Sequence, residues 1–182
     1  MREHEQVKEF AVDDIIRLVR ETDLSNINTF LVLNGGTGVG KTTAIMNNVL
    51  AELDKKCRGP QTMLVVESRT ITVEQLRHKY GEVDVCQRMS FANMIRKGTI
   101  TYDWVVIDEC HGLFSEASFA EDTTIIGDWI KNARENTHII FITANDEYFE
   151  DLSKQFFSDD CSFIYLFPDF TKYVSNTYVK EI

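Results

Sequence analysis

"LNGGTGVGKTT" (residues 33–43) is the stretch that decides the fold. Within it, Gly35-Gly36-Thr37-Gly38-Val39-Gly40-Lys41-Thr42 satisfies the spacing G-x-x-x-x-G-K-S/T. Glycines let the backbone curl until successive N–H groups converge on one anion. A helix opening directly after the loop adds its positive end. On this reading Gly36, Thr37, Gly38, Val39, Gly40, Lys41, Thr42 and Thr43 form a phosphate cradle. Lys41 is expected to reach the β- and γ-phosphates of a nucleotide, and the Thr42 hydroxyl to ligate Mg²⁺. The loop alone implies nucleotide binding and leaves the fate of the phosphate open.

The apolar pattern around the loop supplies its setting. Short β-branched or aromatic runs occur at "TFLVLN" (29–34), "TMLVVES" (62–68), "VDVC" (83–86), "WVVID" (104–108), "HIIFIT" (138–143) and "SFIYLF" (162–167). Each is apolar on consecutive positions, as a parallel strand covered on both faces requires. Helical stretches are predicted between them near 41–54, 70–80, 90–97, 122–136 and 146–157. An amphipathic first helix over 3–21 carries Val7, Phe10, Ala11, Ile15, Leu18 and Val19. Strand–helix alternation on this scale predicts a three-layer α/β/α fold with a mostly parallel sheet of about six strands. The glycine-rich loop and the acidic end of the fourth run both fall at carboxyl ends of strands, where ligands bind in such sheets.

Bulk composition narrows the class. At 182 residues the chain holds one core, with 43% hydrophobic and 26% charged residues and only 2 prolines and 9 glycines, which excludes long disordered linkers. A net charge of −10 means that a nucleic-acid partner must be met by a local basic patch. Cys57, Cys86, Cys110 and Cys161 show no metal-ligand spacing and read as reduced, buried thiols. No run is long and apolar enough for a membrane span, and the charged N-terminus is unlike a signal peptide, so the expectation is a cytoplasmic protein.

The second chemical motif is Val105-Val106-Ile107-Asp108-Glu109-Cys110-His111, an apolar run ending in two carboxylates. Asp108 suits Mg²⁺, held sparsely with phosphate oxygens, and Glu109 suits the orientation or deprotonation of an attacking water. Asp108-Glu109-Cys110-His111 resembles the D-E-x-H motif II of superfamily 2 helicases, and GGTGVGKTT resembles their motif I. "LVVESRTITVEQL" (64–76) is similar to motif Ia, and "IIFITAN" (139–145) to motif III. The likeness covers about residues 30–145 in the family's order.

The resemblance implies a P-loop NTPase (RecA-like) domain: the N-terminal ATP-binding half of a DExH-type helicase. It implies Lys41 and Thr42 on phosphate and metal, Asp108 on Mg²⁺, and Glu109 as catalytic base. His111 and Thr143, with Asn145 where the family has threonine, would couple the site to a partner domain. Ser68, Arg69 and Thr70 would contact the backbone of single-stranded DNA or RNA. The implied division is a helical lead-in (1–28), a RecA-like domain (29–168) and a tail (169–182) leading towards a second RecA-like domain. The pattern Q-x-x-G-R-x-G-R of that second domain does not occur here. The implied state is either an excised first domain or a naturally short relative, monomeric and with weak activity of its own.

Two other readings stay open. Type II thymidine kinases also combine a GKTT loop with a D-E strand end, but their paired Cys-x-x-Cys motifs are missing and His111 stands where they have glutamine. A non-catalytic nucleotide-binding module would have no use for Glu109. Among the smaller features, Arg88, Arg96 and Lys97 read as a solvated basic face, Trp104 as core and Tyr102 as turn packing. Asp13-Asp14, Asp146-Glu147 and Asp159-Asp160 read as solvated charge, and His4, His78 and His138 as structural or exposed.

Overall fold

The computed structural model describes residues 2–34, 41–81, 83–115, 120–132, 134–144 and 162–166. The loop residues Gly35–Gly40, Asn145, Cys161, Asp146-Glu147, Asp159-Asp160, the helix expected at 146–157 and the tail lie outside them.

Six strands form one sheet in the order β3-β2-β4-β5-β1-β6. They are β1 (Thr29–Asn34), β2 (Met63–Glu67), β3 (Asp84–Gln87), β4 (Trp104–Ile107), β5 (His138–Thr143) and β6 (Ser162–Leu166). Every neighbouring pair runs parallel, with Leu31 beside Ile140 and Ile164, and Val65 beside Val85 and Val106. The central strands are buried along their whole length, which is why their sequences are continuously apolar instead of alternating.

The helices divide between the two faces according to strand pleat. Leu31, Leu33, Val65, Val106, Ile140 and Ile142 point to one face. There they meet α1 (Arg2–Glu21), the helix after the phosphate loop and α4 (Thr70–Lys79) through Ile15, Val49 and Val73. Phe30, Val32, Val66, Val105, Ile107 and Phe141 point to the other. That face is covered by α5 (Arg88–Lys97), α6 (His111–Ser115) and α7 (Glu121–Asn132). The second layer closes edge to face: Phe91 of α5 meets Trp129 of α7 with ring centroids 5.3 Å apart.

The helix expected at 41–54 is continuous but irregular. It consists of α2 (Lys41–Ala44), a π turn (Ile45–Val49) and α3 (Leu50–Lys56). The widened turn brings three successive residues, Ala44, Ile45 and Met46, into the core. Lys56, at its far end, donates to the carbonyls of Val19, Arg20 and Thr22, satisfying acceptors that the end of α1 leaves open.

Several expectations are corrected. β3 runs straight into α5 without a loop, so α5 begins two residues before the predicted start and Arg88 falls in its first turn, buried. Of the expected solvated face only Arg96 and Lys97 are exposed. α7 stops at Asn132 instead of 136, because Arg134 turns inward. Its guanidinium donates to the carbonyl of Ile27 and lies 4.4 Å from the Phe30 ring centroid. Asp14 is buried and paired with Arg17 at 2.9 Å, and Cys57 is exposed where a buried thiol was expected. Trp104 is core as expected, with His138 stacked on it at 4.4 Å. No helix among the described residues is long and apolar enough to cross a membrane.

Candidate nucleotide site

The strand order brings the two motifs together. Lys41 opens the helix beyond β1, Asp108 and Glu109 follow β4, and β5 lies between those strands, ending at Thr143. All of these residues gather at the carboxyl edge of the sheet. The Thr42 hydroxyl donates to Asp108 Oδ2 at 3.1 Å, across 66 residues of sequence. Lys41 is buried beside the carboxylates; burial lowers its ammonium from the ordinary lysine value, while the charges of Asp108 and Glu109 oppose that shift.

Asp108 and Glu109 sit on a turn tied down on both sides. The Asp108 N–H donates to the carbonyl of Val66 in β2, and the Cys110 N–H to that of Ile142 in β5. Between these anchors Glu109 adopts φ of 50°, the left-handed region that a non-glycine residue enters at about 1–2 kcal/mol. Its N–H donates to Asp108 Oδ1 at 2.8 Å, and its carbonyl accepts from Arg88 Nη2 at 2.8 Å and from the Gly112 N–H at 3.1 Å. The Glu109 carboxylate stays half exposed, with His111 Nδ1 3.2 Å from its Oε2, close but without hydrogen-bond geometry. Thr143 is buried and hydrogen-bonded with the Cys110 thiol, which burial pushes well above its ordinary pKa.

Two residues in this site escaped the sequence reading. Glu67, the last residue of β2, is 3% exposed and hydrogen-bonds with Asp108, while its Oε1 has no partner. Burial, reinforced by the charges of Asp108 and Glu109 and opposed by Arg88, pushes its carboxyl up to about 8. Arg88 is the second. Neither belongs to a spacing pattern, because both reach Asp108 and Glu109 only through the order of strands.

A cavity of about 730 Å³ opens beside this turn, bounded by Glu67, Ser68, Arg69, Arg88, Glu109 and His111. Ser68, Arg69 and Thr70 are all exposed, at the step from β2 into α4, and Gln87 donates to the Thr70 hydroxyl. Thr43 is exposed on the helix after the loop. Among the described residues, no group of three or more His, Cys, Asp and Glu side chains is arranged to hold a metal by itself. A cation here would need oxygen ligands from a bound phosphate as well, which suits Mg²⁺ better than a metal caged by protein. The Thr42–Asp108 pair and the orphaned Glu67 oxygen fit that sparse oxygen environment.

Comparison with solved structures bears on the fold. The chain superposes on the Hef helicase domain of Pyrococcus furiosus with a TM-score of 0.56 at 17% identity, over 91% of this chain and 39% of that one. The fold is RecA-like. A hypothetical ATP-dependent RNA helicase from Sulfolobus tokodaii gives 0.49 at 20% identity, covering 84% of this chain and 56% of that one. Domain III of the replication initiation protein DnaA from Thermotoga maritima gives 0.46 at 16% identity, with 88% and 62% covered. This chain therefore spans about two fifths of the length of the Hef structure. No protein-family model matches the sequence, and no curated protein matches it.

Proposed function

We propose that this chain is the ATP-binding motor domain of a superfamily 2, DExH-type helicase or translocase, which hydrolyses ATP with Mg²⁺ in concert with nucleic acid. The observation that carries the reading is the 3.1 Å hydrogen bond from the Thr42 hydroxyl to Asp108 Oδ2. It joins the residue after the phosphate-loop lysine to the first carboxylate of the acidic motif, as a shared Mg²⁺ site requires.

In this mechanism Gly36, Thr37, Gly38, Val39 and Gly40 offer backbone N–H groups to the phosphates, with Thr43 at the helix start. Lys41 supplies positive charge, held close by its burial beside two carboxylates. Thr42 and Asp108 would hold Mg²⁺, which when bound neutralises charge on the phosphates. Glu109, with its carboxylate half exposed, orients the attacking water and accepts its proton. His111 and Thr143, with Asn145, relay the state of the site to a second RecA-like domain across the cleft. Thr143 suits that role, since its bond to Cys110 ties the end of β5 to the Asp108–Glu109 turn. Exposed Ser68 and Arg69 line the cavity in which a single strand's backbone would lie, with exposed Thr70 next to them in sequence.

In this reading residues 1–28 lead into a RecA-like domain over 29–168, and 169–182 lead on to the partner domain. The chain acts in the cytoplasm as a monomer. Phosphate release from ATP, followed with and without Mg²⁺ and single-stranded nucleic acid, tests the proposal. Slow, Mg²⁺-dependent release is expected, and Glu109→Gln should lower it by roughly 10²–10⁴-fold while leaving ATP bound. Release at the parent rate in Glu109→Gln would refute the role of Glu109.

A further inference from the structure

Arg88 stands at the start of α5, directly after the edge strand β3, two strands away from the turn that carries Glu109. Its guanidinium nonetheless reaches that turn, and Nη2 donates to the Glu109 carbonyl at 2.8 Å. The side chain is buried at 7% exposure, so this is no surface arginine resting on a convenient acceptor. Space is kept for it: a Cβ added at Gly112 would lie 3.2 Å from Nη1 and 3.4 Å from Nη2. Gly112 also donates its N–H to the same carbonyl. The residue so gripped is the one with φ of 50°. A left-handed glutamate persists only where its surroundings over-determine it. A charge-assisted bond to its carbonyl, set against fixed anchors at Asp108 and Cys110, does so.

We infer that Arg88 is a positioning residue: by binding the Glu109 carbonyl it holds that residue in the left-handed conformation and so aims its carboxylate. The catalytic consequence rests on the hydrolytic reading given above; the conformational claim does not. Arginine suits the task because its planar fork offers several donors in fixed directions, whereas lysine carries the same charge without that geometry.

The experiment follows the backbone carbon resonances of Glu109 and the Gly112 amide in the isotope-labelled chain, alongside ATP turnover at saturating ATP. In Arg88→Met the Glu109 signals should leave their left-handed positions. Turnover should fall by up to roughly 10²-fold, the scale of a small misplacement at a reacting group, with nucleotide affinity changed less than about twofold. Arg88→Lys should show an intermediate displacement. Gly112→Ala, which presses a methyl group on the guanidinium, should move the same signals, and adding it to Arg88→Met should change little further.

Parent-like Glu109 signals in folded Arg88→Met would overturn the inference, as would signals and turnover in Arg88→Lys equal to the parent's, since charge alone would then suffice. Independent, additive displacements in the double variant would do the same. If the parent chain hydrolyses no ATP, the hydrolytic reading fails, while the resonances still decide what Arg88 does to Glu109.

Discussion

Glu67 shows most clearly how one side chain can be set by neighbours distant in sequence. In the sequence it is a lone glutamate at the end of an apolar run. In the fold it is sealed between β3 and β4 and hydrogen-bonded with Asp108, and burial holds its carboxyl at about 8. The ordinary value is 4.5. Between these values the folded chain keeps a proton that the unfolded chain releases, so this group's contribution to stability declines as pH rises through the window. Glu67→Gln keeps a donor for Asp108 and removes the titration. Its stability relative to the parent should therefore climb from pH 4.5 to pH 8, by more than about 1 kcal/mol, since one pKa unit corresponds to 1.36 kcal/mol. Urea melts of both proteins in Mg²⁺-free buffer measure this; a difference constant across the window would show that Glu67 ionises normally. Lys41, Thr42, Asp108 and Glu109 were legible because their chemistry is written in local spacing. Glu67 and Arg88 were not, because only the sheet order β3-β2-β4 brings them to that chemistry.

Elements were read more accurately than their ends. β1 and β5 match the predicted runs residue for residue, since apolar runs bounded by polar residues leave little choice of register. The errors fall where tertiary packing overrides local preference. The π turn at Ile45–Val49 has no sequence signature separate from a regular helix, and Arg134 ends α7 early by bonding to the segment before β1. The end of α5 is set by local chemistry. Gly98 sits at φ of 62°, its N–H donating to the Ile95 carbonyl and the Thr99 N–H to that of Met94. This left-handed stop favours glycine even though open space surrounds the Cβ position. Gly98→Ala should destabilise the domain by about 1 kcal/mol, measured by chemical unfolding, with the sheet unaffected. Unchanged stability would mean that the stop is not held by backbone conformation.

At the scale of the molecule, strand–helix alternation sufficed to predict a three-layer parallel fold, and the order of strands then placed two separated motifs at one edge. Composition could not foretell the surface beside them. A chain of net charge −10 still presents exposed Arg69 over a 730 Å³ cavity. The same edge joins a phosphate-loop lysine beyond β1 to a threonine-bound aspartate and a left-handed glutamate in the turn after β4. That arrangement is the basis for reading the chain as a nucleotide-driven motor domain.

The most direct test of that account is equilibrium binding of a fluorescent ATP analogue, titrated with and without Mg²⁺, to the parent chain and to Lys41→Ala. Binding strengthened by Mg²⁺ in the parent, and weakened at least about tenfold in Lys41→Ala, a loss of about 1.4 kcal/mol, is the predicted result. Binding indifferent to Mg²⁺, or equal in the two proteins, would contradict it.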